Sequence, residues 1–194
     1  MERNGKMKVL EIVASGDGQE GIAAEVWPQA EVARWTIDDM HSDAGPQGPF
    51  DAVLASHVLQ LIGGGAVVQA VRCWADMLRE GGELHLVTPD LAWACEQIAK
   101  QHEADRWTLK VIYGQGGAVH KCGFTVGLLR SVLAAAGLRA KAARLGPYRM
   151  VQTDGEGDEH GVIARQVYVV GVKPTVSTDE GTDKRITDEE DGDA

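Results

Sequence analysis

The chain has 194 residues, 44% of them hydrophobic, and a formal net charge of −10 at pH 7. That length and apolar content suit one domain with a full core. No run approaches the roughly 20 apolar residues of a membrane span, and the acidic balance argues against a large nucleic-acid footprint. Cys73, Cys95 and Cys122 lie far apart without a C-x-x-C pair. Free thiols in a reducing compartment follow, and with no signal-peptide pattern at the N-terminus the cytoplasm is the expected location.

Charge divides the chain. From Ser177 to Ala194 eight acids face only Lys184 and Arg185, and Ile186 is the one large apolar residue. Such a segment cannot bury enough surface to offset its ordering entropy. Residues 1–173 are therefore expected to form one α/β domain and 174–194 an acidic disordered tail.

In chain order, Lys8-Val9-Leu10-Glu11-Ile12-Val13 reads as a buried strand. Gly16, Gly18 and Gly21 form a turn, and a helix is expected over 19–29 with Ile22, Ala23, Val26 and Trp27 on one side. Pro28 limits that helix. Residues 31–37 read as a second strand ending at Asp38 and Asp39. Strand, glycine turn, helix, strand and terminal acid make a nucleotide-binding half. Its glycines allow close backbone approach, and its acid accepts from both ribose hydroxyls.

Residues 40–49 read as a loop, 51–56 as a doubly buried strand and 66–78 as a helix ended by Gly81-Gly82. Residues 83–88 form a strand stopped by Pro89, and Asp90 caps a helix over 91–102. The stretch 103–123 reads as irregular. A helix over 124–136 ends at Gly137, and strands follow over 138–145 and 164–172 with a polar loop at 154–158. This alternation predicts a Rossmann-like, doubly wound, mostly parallel sheet.

Read literally, Gly16-Asp17-Gly18-Gln19-Glu20-Gly21 with Asp38 matches a dinucleotide fingerprint and suggests a nicotinamide or flavin enzyme. Glu11 inside the first strand speaks against that. Four stretches fit another pattern. They are Val9-Leu10-Glu11-Ile12 with its glycine turn; Phe50-Asp51-Ala52-Val53-Leu54-Ala55-Ser56-His57-Val58-Leu59; Met77-Leu78-Arg79-Glu80-Gly81-Gly82-Glu83-Leu84; and a C-terminal set including Gly123-Phe124-Thr125 and Leu133-Ala134-Ala135-Ala136-Gly137-Leu138. Together they resemble the class I S-adenosylmethionine-dependent methyltransferases of the small type 11-like group, over roughly residues 7–172.

The resemblance implies S-adenosylmethionine as cofactor and a small molecule or glycan as methyl acceptor. It places Glu11, Ser15, Gly16 and Gly18 at the methionine end, Asp38 or Asp39 at the ribose and adenine side, and Ser56 beside the reacting methyl group. His57 falls where the family faces substrate and is the candidate catalytic residue. No metal site is implied. Two departures matter. Family glycines two, four and six residues after the acid are replaced by Val13, Ser15 and Asp17, and only twelve residues separate Ile37 from Phe50. The sheet is thus shortened between its second and fourth strands. The family's L-E-H reads Leu59-Gln60-Leu61. These losses also allow a catalytically inactive descendant that serves as a binding or partner protein. Glu11 and Asp38 have ordinary roles as strand-end acids, and His57 and His120 as structural or surface imidazoles.

Overall fold

The computed structural model describes residues 5–14, 22–41, 45–115, 118–153 and 159–175. Ser15, Gly16 and Gly18, the loop at 154–158 and the acidic tail from 176 onward lie outside these residues.

The chain opens with β1 (Lys8–Val13), α1 (Ala23–Val26) and β2 (Glu31–Thr36), followed by a single 3-10 turn at Asp38–His41. Then follow β3 (Phe50–Ser56), α2 (Val67–Asp76) and β4 (Leu78–Pro89). Next come α3 (Leu91–Gln101), α4 (Arg106–Tyr113) and a small hairpin of β5 (Gly114–Gln115) and β6 (Ala118–Val119). The chain continues with α5 (Val126–Ala135) and ends in a long hairpin of β7 (Arg139–Thr153) and β8 (Glu159–Val172).

Six strands form one sheet in the order β2-β1-β3-β4-β8-β7. The first four are parallel to their neighbours, while β8 runs antiparallel to both β4 and β7. Helices flank both faces, so the α/β expectation holds. The missing helix–strand–helix passage after β2 leaves β2 at the edge of the sheet.

Period-two alternation sorts the side chains. Leu10, Ile12, Val53, Ala55, Leu84, Leu86, Val167 and Val169 meet α2 and α5 in the main core. In α2, Val67, Ala70, Val71, Trp74 and Ala75 are buried, the spacing of one helical face. The other face is thinner: Val9, Ala52, Leu54 and Val87 pack with Ala23 and Trp27. A third cluster, with Ala94, Val111, Met150 and Ala164 at its centre, joins α3 and α4 to the hairpin.

Several expected boundaries move. The first helix ends at Val26 rather than 29, because Pro28 follows. The Gly81-Gly82 pair does not end α2 but lies within β4, where Gly81 takes φ +69° and the register against β3 shifts. The stretch 103–123 is not irregular. Asp105 accepts from the Thr108 amide and starts α4. The last two strands extend into a hairpin far longer than the apolar runs alone indicate. The cap at Asp90 falls where the sequence places it, with Oδ1 accepting from the Ala92 amide, whereas the helix expected from 124 starts at Val126 behind a Thr125 cap that accepts from the Leu128 amide.

On the thin face a polar chain replaces apolar packing. The Tyr168 hydroxyl donates to His85 Nδ1 at 2.6 Å, and Trp27 stands edge-on to the imidazole. His85 Nε2 lies 3.2 Å from Glu83, whose other oxygen accepts from Lys141 at 2.5 Å. Burial pushes the imidazole below its ordinary range, and the Glu83 carboxylate only partly opposes this. The folded protein therefore holds His85 neutral. Below about pH 6.5 the unfolded chain takes up a proton that the folded chain resists, so stability falls as acid is added. The urea midpoint should drop between pH 7.5 and 5.5, and His85→Gln should flatten that dependence even though it lowers the midpoint at pH 7.5. An unchanged slope in the variant would exclude His85 as a contributor.

Candidate functional site

In open α/β sheets ligands bind beyond the carboxyl ends of the strands, and here the polar groups gather at that edge. Glu11 lies on the α1 side of the interior strand β1, opposite Arg34 on β2 and Leu54 on β3. It is only 2% exposed. Its Oε1 accepts from the backbone amides of Ile22 at 2.6 Å and Ala23 at 3.0 Å, and Arg34 Nε donates to Oε2 at 3.1 Å. A buried carboxylate is tolerated only when its oxygens are paired, and this one is paired by three donors. It ties the end of the glycine turn back to the sheet.

Beyond β2, the two acids separate. The Thr36 hydroxyl donates to Asp39 Oδ2 at 2.5 Å, closing a local turn. Asp38 is exposed, and its carboxylate has no partner among the described residues. Beyond β3, Ser56 is half-buried and paired in register with Val87. His57 then takes φ +54°, a left-handed conformation that costs an ordinary residue about 1 kcal/mol. The chain around it secures that turn: the His57 amide donates to the Val87 carbonyl, and Gln60 Nε2 donates to the His57 carbonyl. The ring meets Gln166 Oε1 at 3.1 Å through Nε2 and lies against the Tyr148 ring at 5.0 Å.

Burial lowers the His57 pKa. The Gln166 hydrogen bond offsets this in part, and the nearby His120 adds to it. His120 is also lowered by burial, with its Nδ1 3.0 Å from the Val111 carbonyl. Burial pushes the Tyr148 hydroxyl and the Cys122 thiol up, so neither supplies an anion near neutrality. The arrangement offers a neutral imidazole, held by its backbone and one ring nitrogen, that can take a proton. Gln60 does not reach outward. It is 3% exposed, and its Oε1 is buried without a partner among the described residues.

Asp90 fixes the neighbouring strand end. Its second oxygen accepts from Arg165 Nε at 2.5 Å, and Arg165 also reaches Glu96. This locks β8 to the start of α3, with Gln166 one residue further along β8. Sequence reasoning missed Gln166 and Tyr148 altogether. They lie more than 90 residues from His57 and carry no local signal. A cleft lined by Lys6, Lys8, Asp51, Arg79 and Glu83 opens at the opposite edge of the sheet. Its acids are already taken, Asp51 by Arg79 and Glu83 by Lys141 and His85. Among the described residues no three or more His, Cys, Asp or Glu side chains gather as a metal site, and no helix is long and apolar enough to cross a membrane.

A central parallel sheet with an antiparallel terminal hairpin, and a polar edge beyond β1, β2 and β3, defines the Rossmann-like fold of class I methyltransferases. Solved structures share it. A proposed methyltransferase of Bacillus halodurans aligns with a TM-score of 0.57 at 14% identity, over 88% of this chain and 93% of its own. An S-adenosylmethionine-dependent methyltransferase of Methanosarcina mazei aligns at 0.52 and 13%, over 87% and 93%. A Burkholderia thailandensis 1,6-didemethyltoxoflavin N1-methyltransferase, solved with its substrate and S-adenosylhomocysteine, aligns at 0.50 and 12%, over 88% and 72%. No protein-family model matches the sequence, and no curated protein matches it. Identities this low establish the fold and leave the chemistry to the site.

The anchoring of Glu11 generates a direct expectation. Glu11→Ala leaves two amides and a guanidinium without their acceptor and should destabilise the domain by about 2–4 kcal/mol, given about 1–3 kcal/mol for each buried unpaired group. Glu11→Gln keeps an oxygen for the amides but turns an NH2 toward Arg34, and should cost less. Urea denaturation reads both, and a Glu11→Ala protein as stable as the parent would contradict the anchoring role.

Proposed function

We propose that the chain is an S-adenosylmethionine-dependent methyltransferase acting on a small-molecule or glycan acceptor. The observation that carries this reading is the order of groups along the carboxyl edge. After β1 the chain is held at Ile22 and Ala23 by Glu11. After β2 comes an exposed Asp38 carboxylate without a partner among the described residues, and after β3 comes a constrained neutral imidazole at His57. These are the three contacts that an amino-acid end, a ribose and a reacting methyl group require.

The residues fit the cofactor unequally. Asp38 is the better ribose ligand, because Asp39 is already committed to Thr36. Glu11 has both oxygens engaged by the chain. Its role toward the cofactor is to hold the turn whose backbone meets the methionine end. Among the described residues the adenine side has the turn at Asp38–His41 and no strand between it and β3. Ser15, Gly16 and Gly18 remain assigned to the methionine end by resemblance, and Ser56 to the methyl side.

When bound, S-adenosylmethionine supplies an electrophilic methyl carbon. Positioning is then the main requirement. His57 accepts the acceptor's proton as its oxygen or nitrogen attacks, a role suited to an imidazole kept neutral by burial. Helices α3 and α4 with the β5–β6 hairpin stand over this end of the sheet and form the acceptor side. The bound substrate of the Burkholderia enzyme is a small molecule, which supports the same acceptor class here.

The second reading is a catalytically inactive descendant. Gln60 favours it, since an inward-turned amide stands where the resemblance expects an acid. Isothermal titration separates the two. S-Adenosylmethionine and S-adenosylhomocysteine should bind and NAD should not. Asp38→Ala should weaken binding about tenfold, equivalent to about 1.4 kcal/mol, while Asp39→Ala should matter less. Absence of binding by both sulfur nucleosides would support the inactive descendant, and binding of NAD alone would restore the nicotinamide reading.

A further inference from the structure

We infer that Gln166 is a positioning residue that fixes His57 in the tautomer carrying its proton on Nε2, so that Nδ1 is the basic nitrogen. This rests on the reading of His57 as the proton acceptor in methyl transfer and adds the group that decides which nitrogen acts.

The geometry is specific. With the Gln166 amide turned so that Oε1 faces the ring at 3.1 Å, that oxygen can only accept, and His57 Nε2 carries the hydrogen. A neutral imidazole with Nε2–H has its lone pair on Nδ1. The two residues come from opposite ends of the sheet's history, 109 positions apart, and meet because β8 inserts between β4 and β7. Gln166 is itself held on both sides, in register with Pro89 on β4 and Gly146 on β7. Its neighbour Arg165 is locked to the buried Asp90. His57 is equally constrained by its left-handed backbone, by the Val87 carbonyl and by Gln60. The backbone of each partner is thus fixed where the two side chains meet.

An amide at this position differs from the carboxylate that often orients a histidine. It sets the tautomer without adding a negative charge that would hold the ring protonated. The other titratable groups around the ring are Tyr148 on β7, a protonated phenol, and His120 after β6, itself neutral. A protonated His57 would face no carboxylate from either. In the reaction, the acceptor's electron pair forms the new bond to the methyl carbon, and the carbon–sulfur bond breaks with its pair going to sulfur. The acceptor's proton ends on His57 Nδ1.

Long-range nitrogen–proton NMR on the 15N-labelled full chain reads tautomer and titration of this ring without any acceptor. In the parent protein His57 should show Nε2–H. Gln166→Leu should abolish that preference and lower the pKa further, because the hydrogen bond that partly supports the charged ring is gone. Gln166→Glu should keep the tautomer and raise the pKa by about one to two units. Dispersed amide spectra of both variants confirm folding, and the conservative Gln166→Glu guards against a Leu variant that does not fold. A parent ring with Nδ1–H, or a tautomer and pKa unmoved in both variants, would overturn the assignment. Adding S-adenosylhomocysteine to the same samples tests the underlying function separately: no binding with Nε2–H present would remove the methyl-transfer reading and leave the positioning intact.

Discussion

One carboxylate organises this domain. Glu11 sits in the interior strand β1 at a position where the α1 face would otherwise be apolar, and it is almost fully buried. Burying it without partners would be prohibitive, so the fold around it must supply donors. The amides of Ile22 and Ala23 require the chain leaving β1 to return over the sheet, and Arg34 requires β2 to lie in register beside it. The start of α1 and the pairing of β2 are thus both tied to one residue.

The other half of the site comes from the far end of the chain. Removing the segment between β2 and β3 makes the sheet narrower on one side, while the long β7–β8 hairpin extends it on the other. The upper part of that hairpin packs with α3 and α4 through Ala94, Val111, Met150 and Ala164. It brings Tyr148 and Gln166 against His57. The shortening after β2 is therefore separate from the His57 end of the sheet, which the hairpin supports. The left-handed turn at His57 shows where the structure holds strain, and such turns persist only when their surroundings fix them.

Much of this was legible in the sequence because it is local. The apolar runs of β1 and β3, the cap at Asp90, the stop at Gly137 and the shortened passage after Ile37 all depend on neighbours in the chain. Residues 106–113 were misread as irregular because of the glycines nearby, although Asp105 as a cap with Thr108 and Val111 inward marks a helix there. The Gly81-Gly82 pair misled because two glycines after a helical pattern suggest a terminator, whereas here they accommodate a kink in a strand. Gln166 could not have been found. Its meaning depends on β8 lying beside β4, a pairing that sequence spacing does not encode. Asp38 and Asp39 were inseparable for a similar reason, since only the fold shows that Thr36 claims one of them.

The central claim is that a sulfur nucleoside lies across the carboxyl ends of β1, β2 and β3. A crystal structure of the chain grown with S-adenosylhomocysteine tests it most directly. The account predicts ribose hydroxyls on Asp38, the amino-acid end against the turn that Glu11 anchors, and the sulfur on the His57 side. Density for the ligand in the cleft beside Lys6 and Arg79, or none at a saturating concentration, would contradict it.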